Sequence, residues 1–115
     1  MAAIALALAS TACGRPPPQA PPAQTTILDN ATTAISTLCG KADEITAFPG
    51  EHRRGLAELD RRAQASARAL ARVLHRNAAW LYQGASVREL VGDSVAMLRS
   101  CDLSEAARTL ERASR

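Results

Sequence analysis

Aromatic residues are nearly missing from this chain: Phe48, Trp80 and Tyr82 are the only three in 115 residues. A core must therefore be built from Leu, Ile, Val and Ala, each burying less surface than a ring would. Proline is confined to residues 16–22 and to Pro49, so no Pro breaks a helix anywhere from Gly50 to Arg115. No segment alternates apolar and polar residues, and no strand is expected. No apolar run approaches the ~20 residues that cross a bilayer as a helix. The GxSxG, HExxH and glycine-rich phosphate-loop patterns are absent. The carboxylates are scattered over helix surfaces and define no acid–base pair, so no enzyme is expected. Neither Cys39 nor Cys101 has a CxxC partner or a His at ligand spacing, which excludes the usual redox motif and a zinc site. Lysine is scarce as well: Lys41 stands alone, and the formal charge of +3 rests on arginine.

What is present begins with the first thirteen residues. Met1 to Ala12 is an almost unbroken run of small apolar residues, and Cys13 follows it. An apolar segment closed by small residues fits an export leader. No Lys or Arg precedes Arg15, although leaders open on a cationic segment, so a start codon upstream of Met1 is expected. Ser10-Thr11-Ala12-Cys13 resembles the lipobox of bacterial lipoproteins, with Ser10 where that family usually has Leu. The resemblance implies cleavage before Cys13 and a diacylglyceryl group on its thiol. It places the protein on the extracytoplasmic side of the cell membrane, anchored by lipid. Residues 1–12 are then leader, 13–24 the lipidated Cys and a Pro-rich tether, and 25–115 the folded domain. A Pro-rich segment favours extended polyproline II. At ~3.1 Å per residue it holds a domain roughly 30 Å from its anchor.

About 90 residues remain, enough for one small domain. Four segments show helical periodicity. The first, near Thr26 to Ala47, repeats Ile27, Leu28, Ala31, Ala34, Ile35, Leu38, Ala42 and Ile45, and Phe48-Pro49-Gly50 stops it. The second is drawn as one long helix from Glu51 to Gln83, with Leu56, Leu59, Ala63, Leu70, Val73, Leu74 and Leu81 as its stripe and Gly84 as its stop. The third opens on Ser86-Val-Arg-Glu89, a capping box. The fourth opens on Asp102-Leu-Ser-Glu105, a similar cap. The expected fold is all-α: a small up-down bundle of three to four helices with one disulfide.

Outside the cytosol an even pair of cysteines reads as a bridge, so Cys39 and Cys101 are expected to pair. Closing that loop is worth roughly 4 kcal/mol in the chain-entropy model. One conflict arises. Folding the first helix back at Gly50 sets Cys39 near the level of residue 62, and folding the third back at Ala85 sets Cys101 near residue 69. Those levels differ by ~10 Å along a helix, whereas bridged Cα atoms sit ~5.5 Å apart. Helix tilt, or a bent or shorter second helix, would close the gap.

Arg61, Arg68, Arg72 and Arg76 step by seven, four and four residues and form one ridge on the second helix, nearly opposite Leu59, Leu70 and Leu74. Such a ridge is either the solvated back of an amphipathic helix or a site for anionic lipid or an acidic envelope polymer. An exported protein does not meet nucleic acid, and none is expected as a partner. His75 and Tyr82, seven apart, would share a solvent-side face of the second helix and could in principle ligate haem iron. No cofactor and no metal are expected. The functional expectation is a lipid-anchored envelope protein that engages an unknown envelope protein or an anionic surface. A carrier of haem or an apolar molecule, and an accessory or inhibitor module of an envelope enzyme, are the alternatives.

Overall fold

The computed structural model describes residues 17–46 and 52–115, and side chains in the second stretch from Arg54 onward. The leader, Cys13, the Phe48-Pro49-Gly50 stop and the His52 side chain lie outside the described residues. The described chain forms α1 (Pro22–Thr46), α2 (His52–Arg76), β1 (Leu81–Tyr82), β2 (Ala85–Ser86), α3 (Val87–Ser100) and α4 (Ser104–Ala113). It is a small all-α bundle with one disulfide, Cys39–Cys101, and one short hairpin.

α1 starts earlier than its apolar stripe suggests. Pro22 occupies the first helical position, where its missing N–H costs nothing and its fixed φ suits a helix. Thr25 N donates to the Pro21 carbonyl at 2.9 Å. Leu28, Ala31, Ile35, Leu38, Cys39 and Ala42 are buried at the expected three-and-four spacing, whereas Ile27 of the expected stripe is exposed. α1 packs mainly on α2, and α4 packs on both α2 and α3. Fully buried Ala42, Ala63, Ala67, Ala106 and Ala107 let the helix axes approach closely. Around them Leu28, Ile35, Leu70, Leu98, Leu103 and Leu110 are completely enclosed, each worth about 1.5–3 kcal/mol of burial.

The long second helix is a correction. α2 ends at Arg76, not Gln83. The Asn77 side-chain oxygen accepts from Ala79 N at 3.0 Å, an Asx turn that competes with further helix. Leu81 and Tyr82 then pair antiparallel with Ser86 and Ala85. Gln83 and Gly84 both have positive φ, 50° and 84°. That is the type I′ pattern, whose twist matches a two-residue hairpin. Gly84 is thus a turn residue rather than a helix stop, and the expectation of no strand fails at these four residues.

This shortening removes the conflict over the cysteines. Ile45 packs against Gly55, where a Cβ would lie 2.9 Å from the Ile45 Cδ1 atom, so Cys39 is level with Arg61. α3 is 14 residues long and starts beside the end of α2, so stepping back from Arg76 sets Cys101 level with Arg62. The Cα atoms of the pair are 5.4 Å apart.

A second correction concerns the tether. The Pro-rich segment joins the fold at Pro18 rather than after Gln24. Leu81 N donates to the Pro18 carbonyl at 3.0 Å, and Ala20 N donates to the Leu81 carbonyl at 2.9 Å. Gln19 lies parallel to Leu81, and Ala20 is buried. The arm thus adds a third, parallel line to the hairpin.

The helix caps divide. Ser86 Oγ accepts from Glu89 N at 3.1 Å, as the capping box requires. Carbonyls of the turn before the hairpin satisfy two more donors of α3: Trp80 O takes Val87 N, and Ala78 O takes Arg88 N. Asp102 does not cap α4. It has φ of 65° and ends α3, with Asp102 N donating to Arg99 O and Leu103 N to Leu98 O. This is a Schellman ending with Asp in the left-handed position that Gly usually takes. The cap of α4 comes from another helix: Asp60 of α2 accepts from Glu105 N at 3.0 Å and Ala106 N at 2.8 Å. A carboxylate there also meets the positive end of the helix dipole.

Two outcomes follow for stability. Asp60→Ala is expected to lower unfolding free energy by about 1–2 kcal/mol, and Asp60→Asn by less, in urea melts at neutral pH. Reduction of Cys39–Cys101 is expected to remove roughly 4 kcal/mol; a melting temperature indifferent to reductant would contradict this.

Candidate anionic-surface interface

α2 turns a continuous basic face to solvent. Its core side carries Leu59, Ala63, Ala67, Leu70, Val73 and Leu74, all buried, while Arg61, Arg68, Arg72 and Arg76 are all exposed. The four ridge residues thus share one face as their spacing predicts. Their electrostatic states differ. Arg61 donates to both Glu58 oxygens, at 2.7 and 2.6 Å, and this ion pair holds its guanidinium above the ordinary value. Its side chain stays 75% exposed. Arg68, Arg72 and Arg76 have no ion-pair partner within 4 Å among the described residues; the pairs found there are Arg61–Glu58, Arg99–Glu111 and Arg108–Glu105. Like charges four residues apart on a helix cost a few tenths of a kcal/mol per pair. The ridge therefore works slightly against the stability of its own helix.

α4 widens this face in a way the sequence does not show. Thr109 Oγ1 donates to Gln64 Oε1 at 2.6 Å, and Asp60 holds the first turn of α4. These contacts advance together along both helices, so α4 runs parallel to α2. One turn beyond Gln64 is Arg68, and one turn beyond Thr109 is Arg112. The next turn of α2 brings Arg72, and Arg115 lies just past the end of α4. Arg112 and Arg115 are exposed, so arginines of both helices border one seam. Farther along, the His75 Nε2 donates to the Ala113 carbonyl at 3.1 Å, which closes that end of α4. Arg112 and Arg115 are the functional candidates that sequence reasoning missed. Pairing of Asp60 and Gln64 with residues 45 positions away has no local signature.

The pairing of His75 with Tyr82 is corrected. Tyr82 lies on β1 and is buried, while His75 ends α2 and is exposed. They share no helix face. The Tyr82 hydroxyl donates to the Asp29 carboxylate on α1, and so fastens the hairpin to the start of that helix. Among the described residues no group of three His, Cys, Asp or Glu is placed to hold a metal ion. An open groove of about 580 Å³ runs between α1 and α3, where Ile35, Leu90 and Met97 mix with hydroxyls such as Thr33, Ser36 and Ser94. It is open to solvent, unlike the enclosed pocket that buries most of a haem or a lipid chain. No helix among the described residues is long and apolar enough to cross a membrane.

Burial raises the Tyr82 phenol above its ordinary value of 10.0, the bond to Asp29 adds to this, and a bond with Thr32 opposes it. A raised value in the folded state means that folding holds the proton more tightly. The resulting stability is complete below pH 10 and is lost as pH climbs through the folded value. Wild-type protein is therefore expected to lose melting temperature above pH 10. Tyr82→Phe should start about 1 kcal/mol lower at neutral pH and show a shallower alkaline decline.

No family model matches this chain, and neither does any curated protein or solved structure.

Proposed function

We propose that this protein is a lipid-anchored module of the extracytoplasmic cell envelope that binds an anionic surface through its arginine face. One observation carries the binding half: Arg68, Arg72 and Arg76 are exposed in line, with no carboxylate partner among the described residues. Arg112 on the neighbouring helix and Arg115 just past its end extend the same face. The anchoring half is supported by the apolar run ending at Cys13, and the disulfide fits an oxidising compartment. The face offers planar, permanently charged donors suited to phosphate and carboxylate. Such a face suits attachment or scaffolding. A diacylglyceryl anchor, whose two acyl chains give stable anchoring, would keep the face near headgroups.

The magnitude is testable. Each Arg near an anionic leaflet contributes about 1 kcal/mol, so three contribute roughly 3 kcal/mol, about a hundredfold in affinity. Replacing Arg68, Arg72 and Arg76 with Gln is expected to weaken retention on phosphatidylglycerol vesicles by that order at low salt. Retention of the unlipidated chain with its arginines intact is expected to collapse as added salt shortens the screening length below ~8 Å. Retention that survives the triple substitution unchanged would reduce the ridge to a solvated helix back.

A further inference from the structure

We infer that the bundle leans on the bilayer, with its hairpin end and the adjoining Arg68–Arg76 stretch of its arginine face turned toward an anionic headgroup surface. This orientation rests on the anchoring proposed above. Two independent features point to it, one from the chain path and one from the charge.

The first is the length of the leash. The arm is fixed to β1 at Pro18 and Ala20, so only five peptide units separate Cys13 from a fixed point of the fold. Fully extended, they span at most ~18 Å. A tether running free to residue 25 would have more than twice that reach. The fixed point is not central. Pro18, Gln19 and Ala20 lie against Leu81, at the end of the bundle where α2 stops and α1 and α3 begin. Whatever holds Cys13 is held close to that end.

The second is the charge of the same end. At this end the carboxylates are Asp29, which accepts from the Tyr82 hydroxyl, and Glu89 in the first turn of α3. The arginines are Arg72, Arg76 and Arg88, all exposed. The opposite end carries Asp43, Glu44, Glu58, Asp60, Asp102 and Glu105, which offset its own cations. The ridge from Arg68 through Arg72 to Arg76 climbs toward the hairpin end. Three arginines against two carboxylates leave a modest positive excess where the leash is shortest. A charge within about one Debye length of the headgroups, ~8 Å, is little screened. The leash and the field therefore orient the molecule alike.

Trp80 is the chain's single tryptophan and sits at this end, so it reports proximity directly. Every contact described lies after Cys13, and the processed chain beginning at Cys13 retains them all. With Cys39 and Cys101 bridged, Cys13 is the one free thiol and couples to a maleimide lipid. Vesicles of phosphatidylglycerol and phosphatidylcholine carrying headgroup nitroxide then quench nearby indoles. Trp80 is expected to lose most of its emission. The variant Trp80→Phe with Ala57→Trp, which moves the indole to exposed Ala57 near the start of α2, is expected to lose little. A Gly-Ser insertion of about ten residues after Arg15, with the reach of a flexible coil, is expected to restore much of the Trp80 emission. Equal quenching at both positions, or an unquenched Trp80 in a chain whose coupling is verified by mass, would overturn the orientation. An unchanged contrast on pure phosphatidylcholine would overturn the contribution of charge and leave the leash alone. Chemical coupling makes the result independent of natural lipidation, which the mass of Cys13 from bacterial membranes reads separately.

Discussion

The bond between Cys39 and Cys101 ties the middle of α1 to the elbow between α3 and α4, and most of the architecture depends on that tie. The core around it is built from Ala and Leu, with no buried Phe or Trp among the described residues. Close helix approach replaces bulky interdigitation, and a small domain of that kind has little stability in reserve. α3 and α4 are the short helices, 14 and 10 residues, too short to persist without packing. The bridge fixes their elbow, and Asp60 fixes the first turn of α4. One covalent and one electrostatic attachment thus hold the second half of the chain on the α1–α2 pair.

Much of this was legible because it is local. The stripe of α1, the helical periodicity of α3 and α4, the Ser86 cap and the exposed Arg ridge all follow from spacing within a few residues. The disulfide followed from cysteine count and the export pattern, and its apparent geometric conflict left helix tilt or a bent or shorter second helix open, of which the structure takes the shorter helix. The failures share a cause. Asn77-Ala78-Ala79 favours helix by composition, and only the Asn77 side-chain bond and the pairing of Leu81 with both Ser86 and Pro18 divert it. Asn77, the aromatic pair Trp80 and Tyr82, and Gly84 two residues later were the available signals, and a four-residue hairpin is too short to show alternation. Asp102 looked like an N-cap because the same residue types tolerate left-handed backbone. Asp60 and Gln64 read as ordinary helix-surface residues, since their partners lie on α4. The second border of the basic face, Arg112 and Arg115, was invisible for that reason.

The surface is arranged with the same economy. Carboxylates are used where they cap, pair or fasten: Asp60 on α4, Glu58 with Arg61, Glu111 with Arg99, Asp29 with Tyr82. The arginines of the α2–α4 seam lie outside these pairings. The hairpin, which a reading by periodicity misses, joins two levels of organisation. It ends α2 early enough for the cysteines to meet, and it receives the Pro-rich arm that would lead to the lipid. Fold geometry, leash length and charge distribution therefore converge on one end of the molecule.

The most direct test of the central claim, an exported, lipid-tethered and bridged bundle, is the intact mass of protein extracted from bacterial membranes. The protein is expressed with its native upstream region and weighed with and without reductant. A chain beginning at Cys13, heavier by a diacylglyceryl group and lighter by two hydrogens until reduced, is the predicted result. An unprocessed chain carrying three free thiols would contradict both the tether and the bridge.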